Sequence, residues 1–103
     1  MSRRGLARLN AKRDANEGAI VDTLQARGFV VKRLSGKGCP DLLVARRGSL
    51  WLCEVKAAKG TFTPDQVQWL RDWTGPTPIV LRSVEDALTF PKVPLVGRAE
   101  TQA

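Results

Sequence analysis

Apolar positions in this chain fall into short runs whose spacing alternates between that of strands and that of helices. Four runs have the length and β-branched content of strands, and three have helical spacing with start or stop residues at their ends. In chain order, the pattern predicts a helix over 11–27, strands over 29–34, 41–46 and 50–56, a helix over 63–75, a strand over 78–81 and a helix over 83–90.

This order predicts an α/β fold with a mixed sheet (α+β) in a single compact domain over residues 11–90. Residues 1–10 show no apolar period and are expected to form a basic flexible arm. Residues 91–103 alternate Pro, Gly and polar residues, and we expect them to form a frayed tail.

The second and third strands are predicted to form a hairpin around the "RG" turn at 47–48. With a loop of either two or four residues, Asp41 lies opposite Glu54, and opposed side chains have Cβ atoms about 4.5–5.5 Å apart. Because alternate residues of a strand share a face, Lys56 lies on the same side as Glu54. Two carboxylates and one ammonium group are therefore expected to converge at one end of the hairpin.

Two carboxylates at this distance repel each other, and a divalent cation such as Mg²⁺ would remove the conflict. A metal held by Asp41 and Glu54 suits phosphodiester hydrolysis, in which Lys56 could orient or deprotonate the attacking water. The alternative is structural. Asp41 would then merely begin a strand after Pro40, and Glu54 and Lys56 would form a solvated pair on an edge strand.

The first predicted helix carries Glu17 near the middle of its apolar face, beside Ile20, Val21 and Leu24. Such a carboxylate can lie at the edge of the core, pair with Arg13 one turn earlier, or point into a site as a further oxygen ligand.

The second helix has a clear start signal. Thr63 is the expected N-cap, Pro64 is at N1, and Gln66 completes a capping box, while Gly75 is expected to end the helix. Ser83 is expected to cap the last helix.

The charge and composition of the chain limit the partners and the catalytic mechanisms that it can use. The chain has a net charge of +7, and 13 of its 17 Lys and Arg residues lie in the first 60 positions, which favours a polyanionic partner or a merely solubilising surface. It contains no His and no Tyr, which excludes His-based general-base catalysis and tyrosine phosphodiester chemistry.

The cysteine pattern and the apolar runs limit the location of the protein. Cys39 and Cys53 are not arranged as a CxxC pair, so we expect reduced thiols and no structural zinc. No apolar run is long enough to span a membrane, and the basic start lacks the apolar core of a secretory signal. We therefore expect an intracellular protein.

Four short motifs together resemble a known family. The helical Glu17, "GCPD" at 38–41, "EVK" at 54–56 and "TPDQ" at 63–66 are similar to the pattern of the PD-(D/E)xK nuclease superfamily, and within it to the virus-type replication-repair nuclease (VRR-NUC) group. The resemblance covers about residues 14–90. It implies a restriction-endonuclease-like αβββαβ core and the activity of a Mg²⁺-dependent DNA endonuclease, with Mn²⁺ expected to substitute and no organic cofactor.

The resemblance also implies roles for individual residues. The expected catalytic residues are Lys56, Asp41, Glu54 and Gln66, and the expected metal ligands are Glu17, Asp41, Glu54 and the backbone carbonyl of Val55.

Compact members of this group are similar to Holliday-junction resolvases, which implies a homodimer acting on four-way DNA junctions in the cytoplasm of a bacterium or of a phage host. Two alternatives are a restriction- or repair-type nuclease that cuts duplex or flapped DNA, and a non-catalytic nucleic-acid-binding module. The candidate phosphate contacts, which could instead form a solvated face, are Lys32, Arg33, Lys37, Arg46, Arg47 and Lys59.

Overall fold

The computed structural model describes residues 15–92 as a four-stranded mixed sheet with three helices. The order of elements matches the order predicted from the sequence. None of the helices described is long and apolar enough to cross a membrane. The predicted arm at 1–10, the first residues of the predicted first helix and most of the predicted tail lie outside the described residues. The elements are α1 (Glu17–Ala26), β1 (Val30–Arg33), β2 (Leu42–Arg46), β3 (Ser49–Val55), α2 (Pro64–Asp72), β4 (Ile79–Leu81) and α3 (Val84–Thr89).

The sheet has the strand order β1-β2-β3-β4, with the first two pairings antiparallel and the β3–β4 pairing parallel. Leu42 pairs with Cys53, so the predicted hairpin register is confirmed. The turn has two residues, Arg47 and Gly48, both with positive φ (51° and 83°). Two such residues match the right-handed twist of the flanking strands, which fixes the register.

Helices α1 and α3 cover one face of the sheet, where the core lies. Ile20, Val21 and Leu24 of α1 are buried, as the helical periodicity predicted. Phe90, just after α3, contacts Phe29 and Trp51 edge-on, with ring centroids 5.1 and 5.2 Å apart. These contacts anchor the helical layer to the sheet.

Helix α2 begins as predicted but ends earlier. The Thr63 capping box with Pro at N1 is confirmed, whereas the predicted end at Gly75 is wrong because the helix stops at Asp72. Trp73 leaves the helix with extended backbone angles and donates its indole N–H to the carbonyl oxygen of Pro76, 2.7 Å away. This hydrogen bond and the stacking of Trp73 on Trp69 replace the glycine cap.

The other face of the sheet is only partly covered by the described residues. Val30, Ala45 and Leu50 lie side by side in register on this face. Val30 is 71% exposed and Leu50 is 63% exposed. An exposed apolar row of this kind is typical of a surface that binds a partner.

Burial of Cys53 predicts an alkaline loss of stability. Burial raises the pKa of this thiol to about 12, from an ordinary value of 9.0. Between these pH values the unfolded chain loses the proton while the folded chain keeps it. The free energy of unfolding should therefore fall by up to about 1.4 kcal/mol per pH unit, and the contribution is fully present below pH 9.

Urea unfolding of the wild type and of Cys53→Ala between pH 8 and pH 11 measures this effect. The variant is less stable at pH 8 because it lacks the buried sulfur, but its stability should decline less steeply above pH 9. Equal slopes for the two proteins would contradict the assignment.

Candidate active site

A cavity of about 690 Å³ opens at the end of β3, between the loop over 34–39 and the first turn of α2. It brings together residues that are far apart in the chain but that the sequence motifs singled out. Six of the predicted site residues line it: Lys37, Asp41, Glu54, Val55, Lys56 and Gln66.

Asp41 is held at this cavity by the backbone on both sides. The N–H of Val55 donates to Asp41 Oδ2 at 2.8 Å, and the N–H of Leu34 donates to the Asp41 carbonyl oxygen at 2.8 Å. Because Pro40 cannot donate to a strand ladder, β2 starts only after Asp41, and the carboxylate reaches the end of β3. Asp41 and Glu54 therefore both line the cavity, each one residue beyond the Leu42–Cys53 pair.

Glu54, Gln66 and Lys56 form a closed network. Lys56 Nζ donates to Gln66 Oε1 at 2.7 Å, and Gln66 Nε2 donates to Glu54 Oε2 at 2.7 Å. Lys56 Nζ lies 3.7 Å from Glu54 Oε2. Glu54 is 5% exposed and Lys56 is 8% exposed, so both charges are buried. Their desolvation is offset by the ion pair and by the hydrogen bonds to the Gln66 amide. The interpretation of Glu54 and Lys56 as a solvated pair is wrong.

Gln66 belongs to the helix cap and to the site at the same time. Its Oε1 accepts from the N–H of Thr63 at 2.9 Å in addition to Lys56, while its own N–H donates to Thr63 Oγ1 at 3.2 Å. The two roles foreseen for this residue are therefore compatible in one conformation. The first turn of α2 therefore positions the side-chain amide of Gln66 between Glu54 and Lys56.

Gly38 lets the cavity loop pass close to α2. It has a φ of +73°, and a Cβ built there would lie 2.3 Å from the carbonyl oxygen of Asp65. No side chain fits in that space, which gives a physical reason for the glycine of the "GCPD" motif.

Glu17 is buried at the N-terminal end of α1 but belongs to a different contact. Arg33 Nε donates to Glu17 Oε2 at 2.8 Å, a partner that lies 16 residues away. Glu17 is not among the residues that line the cavity, so its role as a metal ligand stays a prediction. The alternative partner, Arg13, lies outside the described residues.

The candidate phosphate contacts are spread over the molecule. Lys37 lines the cavity, while Lys32, Arg33, Arg47 and Lys59 are exposed elsewhere. Arg46 has a structural explanation. Its guanidinium donates to the Arg27 carbonyl oxygen at 3.1 Å and lies 4.0 Å from the centre of the Phe29 ring. Five residues of strand, about 16 Å, separate it from Asp41.

The donor set at the cavity fits a hard divalent cation. Magnesium is commonly held by one or two carboxylates together with waters and substrate oxygens, and Asp41 and Glu54 are two such carboxylates beside the Val55 carbonyl. Across residues 15–92, no group of three or more acidic or cysteine side chains is arranged to hold a metal. The site would thus depend on these two carboxylates.

Cys39 lines the same cavity as a thiol. Burial raises its pKa, and the negative charges of Glu54 and Asp41 raise it further. The thiolate is therefore disfavoured at neutral pH, which argues against a nucleophilic role for Cys39.

Two residues near the site were missed by the sequence analysis. Asn16 Nδ2 donates to the carbonyl oxygens of Lys56 and Arg82, and Arg82 Nη1 donates to the carbonyl oxygens of Ala57 and Gly60. An asparagine before a helix indicates an N-cap, and no periodic signal marks contacts of this range.

Comparison of the chain with protein-family models, with curated proteins and with solved structures finds no match.

Proposed function

We propose that this protein is a Mg²⁺-dependent DNA endonuclease of the PD-(D/E)xK type, most similar to the VRR-NUC group, and that it acts as a junction resolvase. The observation that carries the proposal is the convergence of Asp41, Glu54, Lys56 and Gln66 in one cavity. The observed order of elements, αβββαβ followed by a short helix, supports it.

Asp41, Glu54 and the carbonyl oxygen of Val55 would hold the ion. Glu17, whose Oε2 accepts from Arg33, would be a further ligand. When bound, Mg²⁺ would lower the pKa of a water and stabilise the negative charge that develops during phosphodiester hydrolysis. The charges of the buried Glu54 and the half-buried Asp41 would then be neutralised in place.

Lys56 would stabilise the developing charge or orient the attacking water. An ammonium group has three donors, and the hydrogen bond to Gln66 uses one of them. The network with Gln66 and Glu54 limits the rotamers of the long lysine side chain, and a positioned group of this kind contributes about 10²–10⁴ to a rate. No histidine is needed for this chemistry.

DNA is the substrate class because the chain is strongly basic and the cavity presents Lys37 at its wall. Each phosphate contact adds roughly 0.9 to the log–log salt slope of binding on duplex DNA. A four-way junction follows from the family resemblance, and it requires two active sites, hence a homodimer.

The test is cleavage of a labelled four-way junction and of a linear duplex of the same sequence, each with Mg²⁺, with Mn²⁺ and with chelator. Glu54→Gln serves as the matched control. Paired symmetric nicks on the junction, absent with chelator and in the control, are expected. Cleavage of both substrates would replace the resolvase by a general nuclease. Binding without cleavage would indicate a non-catalytic module and overturn the proposal.

The dimer is expected to form through the exposed apolar row of the sheet. Leu50→Asp should therefore convert the protein to a monomer and abolish paired nicking. Leu88→Asp, a change at an equally apolar but separate position that is 54% exposed on α3, should leave the dimer intact. Light scattering of the three proteins decides this. A monomeric wild type at working concentration would contradict the resolvase geometry.

A further inference from the structure

The side chain of Asn16 connects the ends of two strands. Its Nδ2 donates to the carbonyl oxygen of Lys56 at 3.3 Å and to that of Arg82 at 2.9 Å. Each of these residues comes directly after the last residue of its strand, β3 or β4. Asn16 immediately precedes α1, so one amide group joins three elements that lie 40 and 66 residues apart.

The amide is not used as a helix cap, although its position is that of an N-cap. An N-cap asparagine ordinarily accepts from the backbone with its side-chain oxygen. In this protein Asn16 makes no side-chain cap bond, and its Oδ1 is buried without a hydrogen-bond partner. The Nδ2 group of Asn16 is therefore hydrogen-bonded, while its Oδ1 is left without a partner.

We propose that Asn16 is a positioning residue for Lys56, an inference that rests on the proposed function for its catalytic meaning. The N–H of Lys56 donates to the carbonyl oxygen of Leu81 at 3.0 Å, and its own carbonyl accepts from Asn16. Both peptide groups that flank the Cα of Lys56 are thereby fixed, and the side chain is directed at Gln66. Arg82 fixes the loop that follows, through the carbonyls of Ala57 and Gly60.

The variant Asn16→Asp distinguishes a helix-capping role of Asn16 from a role in positioning Lys56. It is as good an N-cap as asparagine, and its charge is favourable at a helix N-terminus. A carboxylate facing the carbonyl oxygens of Lys56 and Arg82, however, accepts where a donor is required. A capping role predicts that Asn16→Asp behaves as wild type, and a positioning role predicts that it fails.

The control is Arg27→Ala, which removes the same kind of bond at another place. Arg27 Nη1 donates to the carbonyl oxygens of Ala87 and Phe90 at 2.6 and 2.8 Å and joins α1 to the end of α3. It contacts none of the proposed catalytic residues in the hydrogen bonds described. A loss that comes only from weaker helix packing should appear in this variant too.

The experiment measures kcat and KM for cleavage by wild type, Asn16→Asp, Asn16→Ala and Arg27→Ala. Small misplacements of a catalytic group lower rates by up to about 10²-fold. We expect both Asn16 variants to lose about 10- to 100-fold in kcat with KM for DNA nearly unchanged. Arg27→Ala should keep kcat per folded molecule. Wild-type kcat in Asn16→Asp, or an equal loss in Arg27→Ala, would overturn the proposal.

A second measurement is independent of activity. In ¹⁵N–¹H spectra, the backbone amide of Lys56 and the side-chain amide of Gln66 should shift in both Asn16 variants and stay in place in Arg27→Ala. Unchanged signals in Asn16→Asp would overturn the positioning role. If wild type cleaves no DNA, the proposed function fails while these spectra still decide the role of Asn16.

Discussion

Lys56→Met is expected to lower the cleavage rate about 10²- to 10⁴-fold while leaving junction binding within a few fold. Methionine keeps the unbranched stem and removes the ammonium group, so the cavity keeps its shape and loses the charge. Single-turnover cleavage of the four-way junction, with binding measured separately in Ca²⁺, checks this. Asp41→Asn and Glu54→Gln should abolish cleavage to a similar degree, because each neutralises a proposed metal ligand.

The lysine also contributes to folding, which complicates the single variant. Removing one member of a buried ion pair costs about 3–5 kcal/mol, because the other charge is left without its partner. Glu54 would be that charge. The double variant Glu54→Gln/Lys56→Met removes both charges and should recover most of the stability lost in Lys56→Met.

The double variant therefore separates catalysis from stability. It should be folded and inactive. Cleavage by the double variant at more than about a tenth of the wild-type rate would show that neither group belongs to the catalytic machinery. An unfolded Glu54→Gln protein would instead indicate that the carboxylate is mainly structural.

Gly38→Ala is expected to produce the second large effect, on both stability and activity. An alanine at a φ of +73° costs about 1–3 kcal/mol from backbone strain alone. In addition, its Cβ would lie 2.3 Å from the carbonyl oxygen of Asp65, which is backbone and cannot move as a flexible side chain can. The first turn of α2 must shift, and Gln66 shifts with it.

Gly48→Ala is the matched control for this change. Gly48 has a similar φ of +83°, but nothing lies within 4 Å of a Cβ built there. Urea unfolding should show that both variants carry the strain and that Gly38→Ala loses at least about 1 kcal/mol more. Only Gly38→Ala should lose cleavage activity. Equal losses in the two variants would show that the close approach to α2 has no effect of its own.

The elements that could be predicted from sequence depend on neighbours in the chain. The capping box of Thr63 and Gln66 lies within four residues, and the hairpin register follows from a two-residue turn and the alternation of strand faces. That register alone places Asp41, Glu54 and Lys56 at one end of the sheet. Most of the candidate site can therefore be predicted from residues that are close together in the sequence.

What could not be predicted depends on how distant elements pack. The pairing of Glu17 with Arg33 requires α1 to cross the sheet edge where β1 ends, and the early end of α2 requires the indole of Trp73 to reach Pro76. The amide of Asn16 donates to the carbonyl oxygens of Lys56 and Arg82, which follow the ends of β3 and β4. Hydrophobic periodicity contains no information on such polar contacts, since they are set after the layers have packed.

The shared oxygen of Gln66 has a consequence for the dynamics of the proposed site. Helix ends open and close within the folded protein more readily than the core does. Because one carbonyl oxygen accepts from both Thr63 and Lys56, a molecule whose α2 has frayed at its first turn also loses the hydrogen bond that positions Lys56. The fraction of molecules competent for chemistry should then follow the local opening equilibrium of that turn. Warming should reduce activity before the core begins to unfold.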